Sequence, residues 1–344
     1  MDVLKQIEVQ EGKAPLNLQE YAAGDTQARP RYGVILLPRD ISLPLELQAE
    51  RTELEIGFGN GEYTAKYARA HPDVLLFGVE VSPACVLRCA RRAAGLGNLR
   101  LIRADARLMM RELFADSALD RVTMNFPCPW PKRRHAHRRV TARDFADSLA
   151  AVLKPGGVFE LVTDDAPYAQ EARDRLGAHP ALRLKNFEEN PLRPVTTKYE
   201  RKWLAEGKSI YRLTFVKTGN FTTQRHSWEG WDMHIRADRP ATPDFMGSLN
   251  GVSGREGEAR WAFGGYYAAP EGNAFLLETF STDDEFEQRY YLRVSEGKPL
   301  KETAGTPSRG ALVQLDRTAG AFLTPSVRGA VRDVADRLSG GVRA

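Results

Sequence analysis

The chain has 344 residues, of which 42% are hydrophobic, and a formal net charge of +4; this is material for two domains with packed cores. No apolar run approaches the ~20 residues of a bilayer span, and residues 1–13 alternate charged and apolar side chains where a signal peptide would be continuously apolar. The three cysteines, Cys85, Cys89 and Cys128, do not form a disulfide framework, so a reducing cytoplasm is expected.

Residues 1–49 read as an N-terminal arm and lead-in. From residue 50 the chain alternates strand and helix patterns. Strands are expected over 52–58, 75–80, 99–104 and 121–125, with helices over 62–71 and 83–96. Ser82 and Pro83 suit the cap and first position of the second helix. A helix over 144–153 is stopped by Pro155-Gly156-Gly157; a strand over 158–163 and a helix over 166–176 follow. Two more strands, over 183–187 and 209–216, flank a polar insert at 188–208. Such alternation implies a mostly parallel sheet with helices on both faces and ligands at the carboxyl ends of the strands. Residues 50–219 form this domain. Residues 220–344 read as a separate α+β domain, with aromatic-rich strands and a final helix placing Val327, Val331, Val334 and Leu338 on one side.

Charge is unevenly divided. Residues 221–344 hold 15 Lys/Arg and 17 Asp/Glu, a net of −2, which leaves 34 and 28, a net of +6, for residues 1–220. A bound polyanion would meet the first two-thirds of the chain.

Glu55-Ile56-Gly57-Phe58-Gly59-Asn60-Gly61 closes the first strand and leads into a helix. A dinucleotide loop G-x-G-x-x-G would want glycine at 62, where Glu62 stands. The G-x-G-x-G spacing behind an acid suits S-adenosylmethionine, which carries an ammonium and a sulfonium but no pyrophosphate. Glu80 ends the second strand, where a carboxylate can accept both ribose hydroxyls. Asp105 follows the third, where one can accept an adenine amino proton. An ordinary glycine turn with incidental strand-end charges is the competing reading, and three acids at successive strand ends weigh against it.

The strand over 121–125 runs into Asn125-Phe126-Pro127-Cys128-Pro129-Trp130-Pro131-Lys132-Arg133-Arg134-His135-Ala136-His137-Arg138-Arg139. From Cys128 to Arg143 there are six Lys/Arg, two His and no acid. A rigid Pro/Trp turn followed by cations offers a stacking face and phosphate contacts for an unstacked RNA base.

These residues resemble the tRNA (guanine-N7)-methyltransferases, which carry P-D-P-W-P-K-K-R-H-x-K-R-R after this strand. Thr196-Thr197-Lys198-Tyr199-Glu200-Arg201 resembles that family's T-K-[FY]-E block, and Asp164 matches its substrate-contacting aspartate. The resemblance covers about residues 50–217, with none seen for 221–344. It implies an α/β, Rossmann-like class I S-adenosylmethionine-dependent methyltransferase that modifies guanosine 46 in the tRNA variable loop. Carried over, it makes Glu55, Gly57, Gly59, Gly61, Glu80, Asp105 and Cys128 cofactor-site residues. Lys132, Asp164, Thr197, Lys198, Tyr199 and Glu200 become contacts to the target nucleotide, with Asp164 catalytic. Arg133, Arg134, Arg138 and Arg139 would meet the RNA backbone; no metal is implied.

One position departs from the pattern: Cys128 stands where the family has the aspartate proposed to be catalytic. A Pro-Cys pair here also resembles RNA (cytosine-5)-methyltransferases, where a thiolate adds to the pyrimidine. A tRNA-binding protein of the same fold with altered catalysis is the third reading. Cys85 and Cys89, and Trp228, Trp231 and Trp261, are expected in the core rather than at a metal or RNA.

Overall fold

The structure, a computed structural model, describes residues 34–36, 44, 45, 47, 49–129, 143–225, 234–283, 286–297, 310–316, 321 and 324–340. It divides into two units, Met1–Gln224 and Arg225–Ala344. Among the described residues no helix is long and apolar enough to cross a membrane.

In chain order the first unit contains β1 (Val34–Leu36), β2 (Thr52–Ile56), α1 (Glu62–Ala70), β3 (Leu75–Glu80), α2 (Pro83–Arg92), β4 (Leu99–Arg103), α3 (Ala106–Leu113) and β5 (Leu119–Asn125). It continues with α4 (Arg143–Val152), β6 (Leu153–Thr163), α5 (Ala166–Gly177), β7 (Leu182–Glu189), α6 (Lys198–Ala205) and β8 (Tyr211–Lys217). The sheet order is β1-β4-β3-β2-β5-β6-β8-β7. Strands β1 to β6 pair in parallel, and β8 runs antiparallel between β6 and β7. The strand order reverses direction at β2, between β3 and β5, and ligand crevices open at such a switch point.

Helix starts are fixed by local chemistry. Ser82 Oγ accepts the Cys85 N–H with Pro83 behind it, and Asp165 accepts the Tyr168 N–H at 2.8 Å. Two helices arise where no apolar period announced them. Asp105 caps α3 by accepting the Arg107 N–H at 2.9 Å. Within the polar insert, Thr197 and Glu200 form a capping box that starts α6. At Pro155-Gly156-Gly157 the strand β6 is already under way, having begun at Leu153 directly after α4.

The central strand β2 is wholly buried, yet it carries Glu53 and Glu55, each 2% exposed. Alternate positions share a face, so the two acids lie on one side of the sheet. Glu53 accepts the Tyr67 hydroxyl at 2.7 Å, and Arg121 on β5 reaches both that hydroxyl and Glu160 on β6. A polar layer therefore lies on this side of the sheet, against α1.

The second unit contains β9 (His234–Ala237), α7 (Pro243–Ser248), β10 (Ser253–Glu256), β11 (Ala259–Ala268), β12 (Ala274–Asp283), β13 (Phe286–Glu296), β14 (Ala311–Leu315) and α8 (Pro325–Ser339). Its sheet is antiparallel throughout, in the order β10-β11-β12-β13-β14-β9. Val327, Val331, Val334 and Leu338 of α8 join one core with Phe263, Leu277, Leu292 and Val313. Trp261 belongs to that core, its indole N–H donating to Asp333 Oδ2 at 2.9 Å. Trp228 and Trp231 lie outside the described residues.

Candidate functional site

The loop after β2 is shaped by three left-handed glycines, Gly57 (φ +70), Gly59 (φ +54) and Gly61 (φ +73). A side chain at Gly61 would clash with Cys89 Sγ, so the bare glycine lets α1 start directly against α2. At Gly57 and Gly59 an added Cβ would meet nothing within 4 Å. The backbone there borders open space, as a ligand cradle requires. Cys89 is fully buried and burial pushes its thiol up to about 12; Cys85 is half-buried. The pair packs helices.

Two of the strand-end acids, Glu55 and Glu80, border this loop, and Asp105 follows β4, which pairs with β3. Glu80 accepts the Gly59 N–H through Oε2 at 3.0 Å and the Ser82 N–H through Oε1 at 2.9 Å. Asp105 is held by the Arg107 guanidinium as well as by its backbone. Glu55 accepts the Asn125 amide at 3.2 Å through Oε1, while its Oε2 is buried without a hydrogen-bond partner. Burial pushes the Glu55 pKa up to about 7, against the opposing pull of the nearby Thr64 hydroxyl, of Asn125 and of the Arg193 charge. An orphaned acceptor at the end of the central strand is a site for a donor, and a cationic donor fits it best.

Arg193 is the organising residue that the sequence conceals. Its side chain is 3% exposed. One guanidinium nitrogen donates to Glu200 Oε2 at 2.7 Å, the other to Asn125 Oδ1 at 2.6 Å, and its centre lies 5.5 Å from the Tyr63 ring centroid. A hydrogen-bonded chain thus runs from Glu55 through Asn125 and Arg193 to Glu200, tying the loop after β2 to α6. Glu200 is itself buried, and its Oε2 also accepts the Thr197 N–H. Its geometry is that of a group holding α6 in place. Thr197 Oγ1 accepts the Glu200 N–H at 3.0 Å, which leaves the hydroxyl proton available to a ligand.

Asp164 follows β6, three-quarters buried, with Lys208 Nζ 3.8 Å from its carboxylate. Lys208 lies 5.5 Å above the Trp203 ring, and Trp203 on α6 sits 4.9 Å from Phe126. Phe126 takes φ +52, a left-handed conformation uncommon outside glycine, at the turn leaving β5. Cys128, two residues on, is exposed. The fold thus gathers Asp164, Phe126, Trp203 and Lys208 in one place. Lys132, Arg133, Arg134, Arg138 and Arg139 lie outside the described residues; Lys198 and Tyr199 open α6.

A parallel sheet in this order with one reversed strand, a G-x-G-x-G loop after β2 and acids at successive strand ends define the fold of S-adenosylmethionine-dependent methyltransferases. The sequence matches the family described as "Putative methyltransferase" over residues 49–213. A tRNA (guanine-N(7)-)-methyltransferase from Thermotoga maritima is 35% identical over 290 residues, spanning 83% of this chain and 88% of that protein. One from Thermus thermophilus is 33% identical over 291 residues, with the same coverage. One from Nitrosococcus oceani is 38% identical over 194 residues, 55% of this chain and 81% of that protein. The chain belongs to the tRNA (guanine-N(7)-)-methyltransferase family. A match spanning 83% of the chain cannot fit within residues 1–224, so the likeness to the first two relatives extends into the second unit, where the sequence motifs give no resemblance.

Proposed function

We infer that this chain transfers a methyl group from S-adenosylmethionine to N7 of guanosine in tRNA, at position 46 of the variable loop. The observation that carries the reading is the 35% identity across 88% of the Thermotoga maritima enzyme, on a chain that keeps the glycine loop and all three strand-end acids. The residues present fit the cofactor: an orphaned buried carboxylate oxygen, an open glycine cradle and two further acids suit a cationic ligand and would repel a diphosphate. Bound S-adenosylmethionine supplies an electrophilic methyl group on its sulfonium.

Glu55 would face the ammonium, Glu80 would accept the ribose hydroxyls and Asp105 the adenine amino proton, with Gly57, Gly59 and Gly61 giving the backbone its close approach. Guanine N7 presents a free lone pair, so no proton has to be removed and no general base is needed. The methylated ring gains positive charge, which Asp164 stabilises. Thr197, Lys198, Tyr199 and Lys132 hold the nucleotide, and Glu200 positions α6 through Arg193. Arg133, Arg134, Arg138 and Arg139 neutralise tRNA phosphates, in the cytoplasm. Positioning and electrostatics carry the rate.

Incubation with labelled S-adenosylmethionine and unmodified tRNA is expected to place the label on N7 of guanosine 46. Label on cytosine, or binding of both ligands without transfer, would overturn the reading.

Two substitutions test the parts. Glu80→Ala is expected to weaken cofactor binding about 10- to 100-fold, the loss of charged hydrogen bonds of about 1.5–3 kcal/mol. An unchanged calorimetric affinity removes Glu80 from the site. Cys128→Ala is expected to stay active, because attack by N7 needs no covalent enzyme–base bond, and Cys128→Asp to match or exceed the parent by adding a carboxylate near the developing cation. RNA containing 5-fluorocytosine should form no stable adduct; a Cys128-dependent adduct would establish the cytosine chemistry instead.

A further inference from the structure

The second unit carries a surface that the transfer reaction does not use. Strand alternation sends Trp261, Phe263, Leu277 and Leu292 under α8 and their neighbours to the opposite face. Among the described residues no helix packs on that opposite face. Across it, Tyr267, Leu276, Arg293, Gln314 and His234 align in one row from β11 to β9. Ala262, Phe280 and Arg289 align in another.

The aromatic rings there are open to solvent. Tyr267 is 60% exposed and Phe280 42%. Tyr267 meets Tyr291 edge-on at 6.1 Å, and Arg289 lies 5.6 Å above the Phe280 ring. Beside Phe280 stands Gly264, where any side chain would press on Glu278 and on the Phe280 ring. The glycine keeps that ring accessible.

The charge on this face runs against that of its unit. Residues 221–344 carry a net −2, yet the described strand positions of this face hold Arg236, Arg255, Arg260, Arg289 and Arg293 against Glu278 and Glu287. Among the described residues Arg289 is ion-paired, to Glu278, and the other four arginines are exposed with no acidic partner. Arg255 and Arg260 stand directly opposite each other on β10 and β11. Like charges so placed destabilise a sheet, and a bound polyanion relieves the repulsion. Both line a hollow of about 900 Å³ together with Phe280, Glu287 and Arg289.

We propose that this face is a second RNA-docking surface, on which unstacked tRNA bases lie against Tyr267 and Phe280 while Arg236, Arg255, Arg260 and Arg293 meet phosphates. Sequence-tolerant RNA binding uses this combination of exposed rings and unpaired arginines. The inference rests on the reading of the chain as a tRNA methyltransferase, and its test is separable from that reading.

Full-length protein carrying Arg260→Ala with Arg293→Ala, and a second variant carrying Tyr267→Ala with Phe280→Ala, are titrated with unmodified tRNA transcript at several salt concentrations. The arginine pair is expected to weaken binding about tenfold at 0.1 M salt and to flatten the log–log salt slope by about 2. The aromatic pair is expected to weaken binding about fivefold or more with the slope unchanged. Cofactor affinity and the methylation rate at saturating tRNA should stay at parental values in both. Parental affinity and slope in the arginine pair overturn the proposal, whether or not the aromatic pair folds. A change in self-association with unchanged tRNA binding also overturns it and makes the face a protein interface. A parental protein that binds tRNA without methylating it would refute the activity while leaving the docking face to be read from the slopes.

Discussion

Arg193→Met is expected to destabilise the first unit by about 3–5 kcal/mol, the usual result of removing one member of a buried ion pair. Arg193 and Glu200 are each 3% exposed, and the guanidinium also serves Asn125 and lies 3.9 Å from Glu160. Methionine fills much of the volume but leaves the Glu200 carboxylate buried without its counter-charge and Asn125 Oδ1 without its donor. The loss is felt first at α6, whose start depends on the Glu200 side chain. Amide exchange along Lys198–Ala205 should therefore accelerate more than exchange in α2. Adding Glu200→Leu should restore part of the stability, since a pair replaced by apolar groups costs far less than a broken one. A loss below about 1 kcal/mol in urea unfolding would show that the network is not holding the insert.

Cofactor affinity is expected to fall about 50-fold between pH 7.5 and pH 5. Burial raises the Glu55 pKa to about 7, so at pH 5 roughly one molecule in a hundred carries the carboxylate proposed to attract the ammonium. Above about pH 8 the ligand's own α-amino group loses its proton, so affinity peaks near neutrality. Binding near pH 7 should release a proton, visible as a dependence of the calorimetric heat on the buffer. Glu55→Gln should bind weakly with a flat pH profile; a wild-type slope in this variant would exclude Glu55 as the titrating group. Stability moves the other way. The folded pKa lies above the unfolded one, so the contribution of Glu55 is fully present below about pH 4.5 and is lost as pH rises through about 7. Cofactor-free Glu55→Gln is accordingly expected to be more stable than the parent at pH 8, on the order of 2–3 kcal/mol.

The glycine loop and the strand-end acids were legible because each is a local pattern: glycines where the backbone turns, acids where a strand stops. The parallel sheet followed from alternation alone. Arg193 was not legible, because an arginine within a polar insert reads as solvated; only folding brings Glu200, Asn125 and Tyr63 around it. Helix α6 lacks an apolar stripe, and the one local sign of it was the Thr197-x-x-Glu200 box, which the eye assigns to substrate rather than to a helix start. Asp105 shows the same double reading, as a strand-end ligand in sequence and a cap of α3 in the fold. The β2 strand reads as apolar, yet it buries Glu53, which the Tyr67 hydroxyl meets, and Glu55, of which Asn125 takes one oxygen. Such partners, distant in sequence, leave no trace in a local window.

The Glu80 carboxylate is immobilised before any ligand arrives, since backbone N–H groups from Gly59 and Ser82 each take one of its oxygens. A free glutamate side chain would surrender rotational freedom on gripping a ribose, at a cost of order 1 kcal/mol. Here that entropy is already lost during folding, along with the freedom of the glycine loop that Glu80 pins. Each oxygen can accept a further hydrogen bond, so on the proposed reading two vicinal hydroxyls would each take one and a single hydroxyl would use half of the receptor. A rigid two-point receptor distinguishes ribose from deoxyribose more sharply than a flexible one, because it cannot relax around the missing contact.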